Sequence, residues 1–439
     1  MMPKRTPRAA GHATGACTSR GVTRRQTLKG AAALLAAAPA RAAGPWFHRS
    51  RRPVLRVLGT HVTLQDLIRR RAEQELGIRL EFQPGGSAAI LQQASTRPES
   101  FDVFEQWSNT IPLLWQAGAI KPIASERIDR WGAVNAIPKQ GRLDPRMPIG
   151  RGDAPHKLLY VQGDGVLGTE ESPSVSFLPY VHNVDSFGYS VKDVPEGVPY
   201  ETESWGWLLD ERWRGRVALV NEPTIGLFDA ALAAQARGLV QFEDIGAMSR
   251  EEIDSLMSIL IELKRSGHFY GAWSSVPQSV DFMQRGHVVV ESMFSPGVSS
   301  LRSAGHAVHY AAPKEGYRAW QGVMCLSSQV TPEVEDAAYR YMNWWLSGWA
   351  GAVMARQGYY MTVQDPAREH LSEDEWAYWY DGKPAASDLP GPDGQVAVQR
   401  GELRRGGAYE ERFSHIAVWN TVMSTYEYSL QRWYEFLIA

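Results

Sequence analysis

Val54-Leu55-Arg56-Val57-Leu58-Gly59 is an apolar run closed by glycine, and the residues that follow it change period. Leu64, Leu67, Ile68, Ala72 and Leu76 recur at helical spacing, Gly77 interrupts them, and Ile78-Arg79-Leu80-Glu81-Phe82 then alternates. A short apolar run bounded by a turn residue predicts a buried strand, and the 3–4 spacing predicts a helix covered on one face. Thr63 stands where a helix cap is expected and Gly77 where the helix should stop. Pro84-Gly85-Gly86-Ser87 turns the chain into a second helix over about 88–95, Phe101-Asp102-Val103-Phe104 reads as a third strand, and 111–117 as a helix closed by Gly118. Strand and helix in strict alternation predict a parallel sheet with helices on both faces.

Working outward, a Gly/Pro-rich region over 132–175 separates this series from a second one. Val175 to His182 predicts a strand, Ser204 a cap, 216–220 a strand, 226–237 a helix, 249–266 an amphipathic helix, 279–285 a short helix, and 287–293 and 306–312 two more strands. Residues 333–347 predict a further helix. Two consecutive α/β systems imply two lobes. The expected division is 1–42 signal, 43–52 linker, 53–183 lobe 1 with 296–346 returning to it, 184–295 lobe 2 with 347–372 returning to it, and 373–439 a C-terminal extension.

The chain has 439 residues, 44% hydrophobic and 21% charged, an ordinary globular composition. Residues 1–42 carry eight basic residues and no acid, so the rest holds 38 basic against 48 acidic residues. An acidic body lacks the surplus that neutralises phosphates and argues against nucleic acid as a partner. Thr23-Arg24-Arg25-Gln26-Thr27-Leu28-Lys29, the weakly apolar 30–39 and Ala40-Arg41-Ala42 make the three parts of an export signal, and the paired arginines resemble the twin-arginine kind. The apolar run is too short to span a bilayer. The expected mature protein is soluble and periplasmic. Cys17 leaves with the signal and Cys325 remains alone, so no intramolecular disulfide is expected.

Catalytic motifs do not survive inspection. Gly163-Asp164-Gly165-Val166-Leu167-Gly168 matches a dinucleotide fingerprint, but Pro173 leaves no room for the helix it requires, so it reads as a turn. Phosphate-loop, nucleophile-elbow, H-E-x-x-H and C-x-x-C patterns are absent, and neither a cofactor nor a metal is expected. Cys325 lies in an apolar stretch and reads as a buried small side chain. In open α/β sheets ligands meet the loops at the carboxyl ends of strands. Those loops hold Thr60 and His61; Glu105, Trp107 and Asn109; Glu222 and Thr224; Phe294 and Ser295; and Trp320 and Gln321. Carboxylates, amides and aromatic faces suit a small ammonium ligand, whereas an anion would call for arginines and helix N-termini. A secreted α/β enzyme using Glu105, Glu222 and Glu291 is the alternative of another class, and Tyr359-Tyr360 leaves ferric iron as a rival cargo.

Ordered local motifs over 53 to about 370 then carry a resemblance. They are Glu75-Leu76-Gly77-Ile78; Phe101-Asp102-Val103-Phe104 before Leu114-Trp115-Gln116-Ala117-Gly118-Ala119-Ile120-Lys121-Pro122-Ile123; Ser204-Trp205-Gly206-Trp207-Leu208 before Trp213-Arg214-Gly215-Arg216-Val217; Met283-Gln284-Arg285-Gly286; and Pro313-Lys314-Glu315-Gly316 before Trp320. In this order they resemble the periplasmic substrate-binding proteins of ABC importers, specifically the spermidine/putrescine-binding branch. The resemblance implies a two-lobed clamp, a polyamine-like or other small cationic or polar ligand bound between the lobes by the loop residues above, delivery to a membrane permease, and a monomer. Polyamine binders carry an acid beside the tryptophan of the last loop, where this chain has Gln321, and an aromatic near the first loop, where it has His61. One carboxylate fewer suits a monoamine, a guanidino compound or a neutral polar ligand.

At the C-terminus, Ile416, Trp419, Met423, Tyr426, Leu430, Trp433 and Leu437 are spaced 3 and 4 apart. The spacing predicts one long helix, lying on the body of the chain or forming a dimer contact.

Overall fold

The computed structural model describes residues 52–439. The expected export signal and nearly all of the expected linker therefore lie outside the described residues. Among those described, no helix is long and apolar enough to cross a membrane.

The first α/β series forms as its periodicity predicts. Strands β1 (Val54–Gly59), β2 (Arg79–Pro84) and β3 (Val103–Trp107) pair in parallel with β1 between the other two. Helices α1 (Asp66–Leu76), α2 (Ser87–Thr96) and α3 (Ile111–Gln116) connect or follow them. Gly77 ends α1 with φ 64°, a conformation that costs glycine no Cβ clash. Thr63 does not cap α1: the cap position is Gln65, and the Thr63 hydroxyl is drawn instead to the buried Glu105 carboxylate, 2.7 Å away.

Strand β4 (Leu178–Ser190) is longer than the sequence pattern indicated and belongs to both halves. Its residues 178–185 pair antiparallel with a later strand of the first half, and residues 186–190 pair with the second. The second half contains β5 (Val217–Val220), β6 (Phe269–Trp273), β7 (Val290–Met293) and β8 (Val308–Tyr310), with α4 (Pro223–Ala236), α5 (Arg250–Arg265), α6 (Val276–Gln284) and α7 (Ser295–Ser303). Ser249 caps α5 in a reciprocal box with Glu252, which satisfies amide donors at the helix start. Strand β9 (Tyr317–Ser327) then returns between β4 and β3. The sheet path runs β6-β5-β7-β4-β9-β3-β1-β2, so the antiparallel pair β4 and β9 joins two otherwise parallel blocks.

The two returning segments lie differently from the expected division. Residues 296–316 stay in lobe 2: β8 pairs with the end of β4, and Val298, Leu301 and Val308 pack with Met283 and Met293. After β9, α8 (Pro332–Trp345) and α9 (Trp349–Ala355) both join the core of lobe 1, so 347–363 return there and not to lobe 2. The reason is connectivity: β9 must enter lobe 1 to reach β3, and the helices that follow cover the same sheet.

The G-x-G-x-x-G match is a hairpin turn between Tyr160–Val161 and Leu167–Gly168, closed by Val166 donating to the Asp164 carboxylate at 3.0 Å. Cys325 is fully buried on β9. The C-terminal stripe is not one helix. Ile416–Trp419 is a strand, β10, parallel to the start of β9, and the helix is confined to Tyr426–Ile438. Between α9 and β10, α10 (Tyr409–Phe413) packs on the crossing strands; the terminal helix, α11, lies on α5 and α4.

Candidate functional site

Where the crossing strands meet the two lobes, four rings close around a small space. Trp107 ends β3, Trp320 stands on β9, Tyr359 follows α9, and Phe294 comes from lobe 2 as the residue before α7. Trp320 and Tyr359 meet edge to face, with centroids 5.1 Å apart at 88°, and Trp273 braces Phe294 in the same way at 5.0 Å and 86°. Val62 and Ile225 complete the apolar wall. The free space between the rings is about 10 Å³, roughly that of one water.

The polar side of this box comes from the crossing strands. Asp185 on β4 and Arg318 on β9 are directly paired across the ladder, and successive side chains alternate faces, so Arg318 and Trp320 share one face of β9. Arg318 is fully buried. Its Nε donates to Asp229 Oδ1 at 2.6 Å and its Nη1 to Asn420 Oδ1 at 2.9 Å. Its Nη2 has no hydrogen-bond partner and lies 3.7 Å from Asp185 Oδ2. Asp185 Oδ1 accepts from Tyr310 and from Asn183, each at 3.1 Å. Burial pushes the Asp185 carboxyl up to about 6, against the opposing pull of Arg318. One guanidinium thus faces two carboxylates, of which Asp185 lines the box and Asp229 lies behind it.

Of the residues singled out in the sequence, Trp107, Phe294 and Trp320 line this box. Gln321 does not. It sits on the opposite face of β9, and its amide donates to Val181 O at 2.9 Å and Gly322 O at 2.8 Å. Glu105 is fully buried inside lobe 1, where both oxygens are taken by hydroxyls: Thr63 at 2.7 Å, Tyr341 at 2.8 Å and Tyr180 at 3.1 Å. Glu222 caps α4, accepting from the Thr224 amide and hydroxyl, and also takes a hydrogen bond from Ser87 of lobe 1. Thr60 is buried with its carbonyl bound to the Leu64 amide, and His61 is exposed. Asn109 is buried with neither side-chain atom partnered. Ser295 begins α7 and faces a different cavity, described below.

Asp185, Arg318, Tyr359 and Asn420 complete the box; Tyr359 was expected only as a ligand of the rival iron cargo, and the other three were not expected at all. The available signal was charge within apolar runs: Asp185 and Arg318 interrupt strands that are otherwise buried. Tyr359 and Tyr360 point apart, Tyr359 towards Trp320 and Tyr360 towards Arg404, so they do not converge as paired phenolates. Glu291 is buried within lobe 2 on β7, and burial holds its carboxyl well above the usual range.

Comparisons with known proteins agree with this architecture. The family model for bacterial extracellular solute-binding proteins matches residues 67–378. Among solved structures, the putative spermidine/putrescine ABC transporter of Listeria monocytogenes is similar with a TM-score of 0.60 at 14% identity, over 87% of this chain and 98% of the other. The TpPotD lipoprotein of Treponema pallidum also gives 0.60, at 11% identity, over 88% of this chain and 100% of that one. The PBP MotA of A. tumefaciens B6, solved with glucopine, gives 0.52 at 15% identity, over 88% and 99%.

Proposed function

The chain belongs to the bacterial extracellular solute-binding protein family, and we propose that its cargo is a small organic monocation, held by one ammonium group in the four-ring box and delivered from the periplasm to an ABC importer's permease. The observation that carries this reading is Asp185, the one carboxylate among the lining residues, at the edge of the Trp107, Phe294, Trp320 and Tyr359 rings, with its Oδ2 3.7 Å from Arg318 Nη2. Aromatic faces attract a desolvated cation by about 0.5–2 kcal/mol each, and the carboxylate adds a charge-assisted hydrogen bond. Together they supply a large part of the roughly −8 kcal/mol of a micromolar ligand.

A diamine or triamine needs a second acid at its far end. Asp185 is the only carboxylate among the residues lining the box. Glu105, the other expected acid, is saturated by hydroxyls of its own lobe. These facts favour a single ammonium over the spermidine or putrescine named for the similar transporter from Listeria. Export through the arginine-pair signal in residues 23–42 would place the protein in the periplasm.

Calorimetric titration with choline, simple monoamines, putrescine and spermidine tests the reading. A monocation should bind tightest, and Asp185→Asn and Trp320→Ala should each weaken it at least tenfold. Tighter binding of spermidine than of every monocation, or unchanged affinity in Asp185→Asn, would overturn it.

A further inference from the structure

A second cavity lies between α7 and the C-terminal extension, and its walls have the opposite charge. Ser299, Arg302, Tyr378, Arg404, Arg405 and Arg412 line it, and no acidic residue does. Its volume is about 40 Å³, several times the ~10–15 Å³ that one water requires. Two of the arginines are balanced: Arg302 bonds Glu402, and Arg405 Nε donates to Glu203 at 2.8 Å. The other two are not.

Arg404 is buried and meets only neutral oxygens, those of Trp379 at 2.8 Å and Gly358 at 2.9 Å and the hydroxyl of Tyr360. Arg412 is 1% exposed and also bonds only neutral oxygens: Arg405 O at 2.8 Å, Val184 O at 3.2 Å and Tyr317 Oη at 3.3 Å. Its Nε has no partner. Ser299 Oγ and Trp379 Nε1, both on residues lining the same cavity, are buried without partners as well. The aromatic faces beneath the guanidinium groups, about 4.8–4.9 Å away, offset part of the cost of burying them. A buried charge is retained cheaply only when it is paired, and two adjacent ones repel.

We propose that this cavity is a second binding site, separate from the aromatic box, which takes one small oxyanion, a phosphate or a carboxylate, between Arg404 and Arg412 with Ser299 as a further donor. The site is a product of the C-terminal extension, since Arg404, Arg405 and Arg412 all lie beyond residue 378, where the family match ends. Guanidinium groups suit the task because they give oxyanions paired, charge-assisted hydrogen bonds. A bound oxyanion would tie the extension to α7 of lobe 2.

The test is thermal unfolding and calorimetry of the whole mature chain with inorganic phosphate, sulfate or acetate, against chloride at equal ionic strength. At least one oxyanion should bind saturably in calorimetry and raise the unfolding temperature by about 3 °C at a hundredfold excess over its Kd. Preference for phosphate or for acetate identifies the class. Arg404→Met should abolish the effect. Because that variant removes structural hydrogen bonds, Ser299→Ala is the decisive one: its hydroxyl bonds nothing in the protein, so the variant should fold normally and bind the oxyanion about 3–10-fold more weakly. Its affinity for the amine should not change, which keeps the outcome distinct from that of the box. No saturable binding of any of the three anions, wild-type oxyanion affinity in Ser299→Ala, or direct competition between anion and amine would overturn the proposal.

Discussion

Glu105 and Asp185 are both buried carboxyl groups on strands, and what reaches them separates their roles. Three hydroxyls from distant positions, Thr63, Tyr180 and Tyr341, converge on Glu105. No local pattern announces that convergence, which is why a glutamate at a strand end reads as a ligand residue in the sequence. Burial still outweighs the hydroxyls and pushes Glu105 from 4.5 up to about 7. Between those two values the folded chain holds a proton that the unfolded chain has released. Its contribution to stability is therefore full below about 4.5 and lost as pH rises to about 7, at about 1.4 kcal/mol per pH unit. Glu105→Gln carries no such proton, so its stability relative to wild type should rise by about 3 kcal/mol across that interval, read by urea unfolding at a series of pH values. Parallel wild-type and variant profiles would refute this. Asp185 titrates in the ligand site, at about 6, and the ammonium needs its ionised form. Amine affinity should accordingly be constant above pH 7 and fall towards tenfold per unit below 6, a trend that Asp185→Asn should abolish.

At the scale of elements, legibility followed how local the determining contacts are. The segments β1-α1-β2-α2-β3 and helix α5 could be read because period, glycine stops and the Ser249 cap all lie within the segment itself. The 3–4 stripe from Ile416 to Leu437 misled because a tertiary partner decides its first part. Pairing with β9 draws Ile416–Trp419 into the sheet, and the helix starts only at Tyr426. What remains of the stripe does lie on the chain's own body. Trp433 packs against Gly226 of α4, where an added Cβ would sit 3.0 Å from the indole, and its Nε1 donates to Asn221 at 3.3 Å. Tyr428 donates to Asp254 of α5 at 2.6 Å. Trp433 is 1% exposed, so Trp433→Ala should cost about 3–5 kcal/mol in denaturant unfolding through the cavity it leaves. A loss below about 1 kcal/mol would mean that α11 is not part of the folded body of lobe 2.

At the scale of the whole described chain, the lobes are connected by two strands, and one side-chain pair, a latch, is among the contacts that hold them together. Strands β4 and β9 cross between them, and Ser87 at the start of α2 donates to Glu222 at the start of α4. Sequence supplied two lobes but not which lobe each return joins, because that depends on β9 threading between β4 and β3. The latch helps to hold a state whose box has room for about one water. A cation of several heavy atoms cannot enter that state, so the lobes must part before it binds and close again around it. The latch competes with opening and, once the ligand is in place, helps retain it. Ser87→Ala removes the bond without touching the helix cap that Glu222 makes to Thr224. The unliganded variant should therefore show a larger radius of gyration in solution scattering than wild type, and saturating amine should compact it again as ligand contacts to both lobes replace the lost bond. Its observed binding rate should rise, because opening no longer breaks the latch, while its dissociation rate rises more, leaving a net weakening of several-fold. Scattering curves that superimpose for wild type and variant, free and liganded, would show that Ser87 and Glu222 do not govern closure.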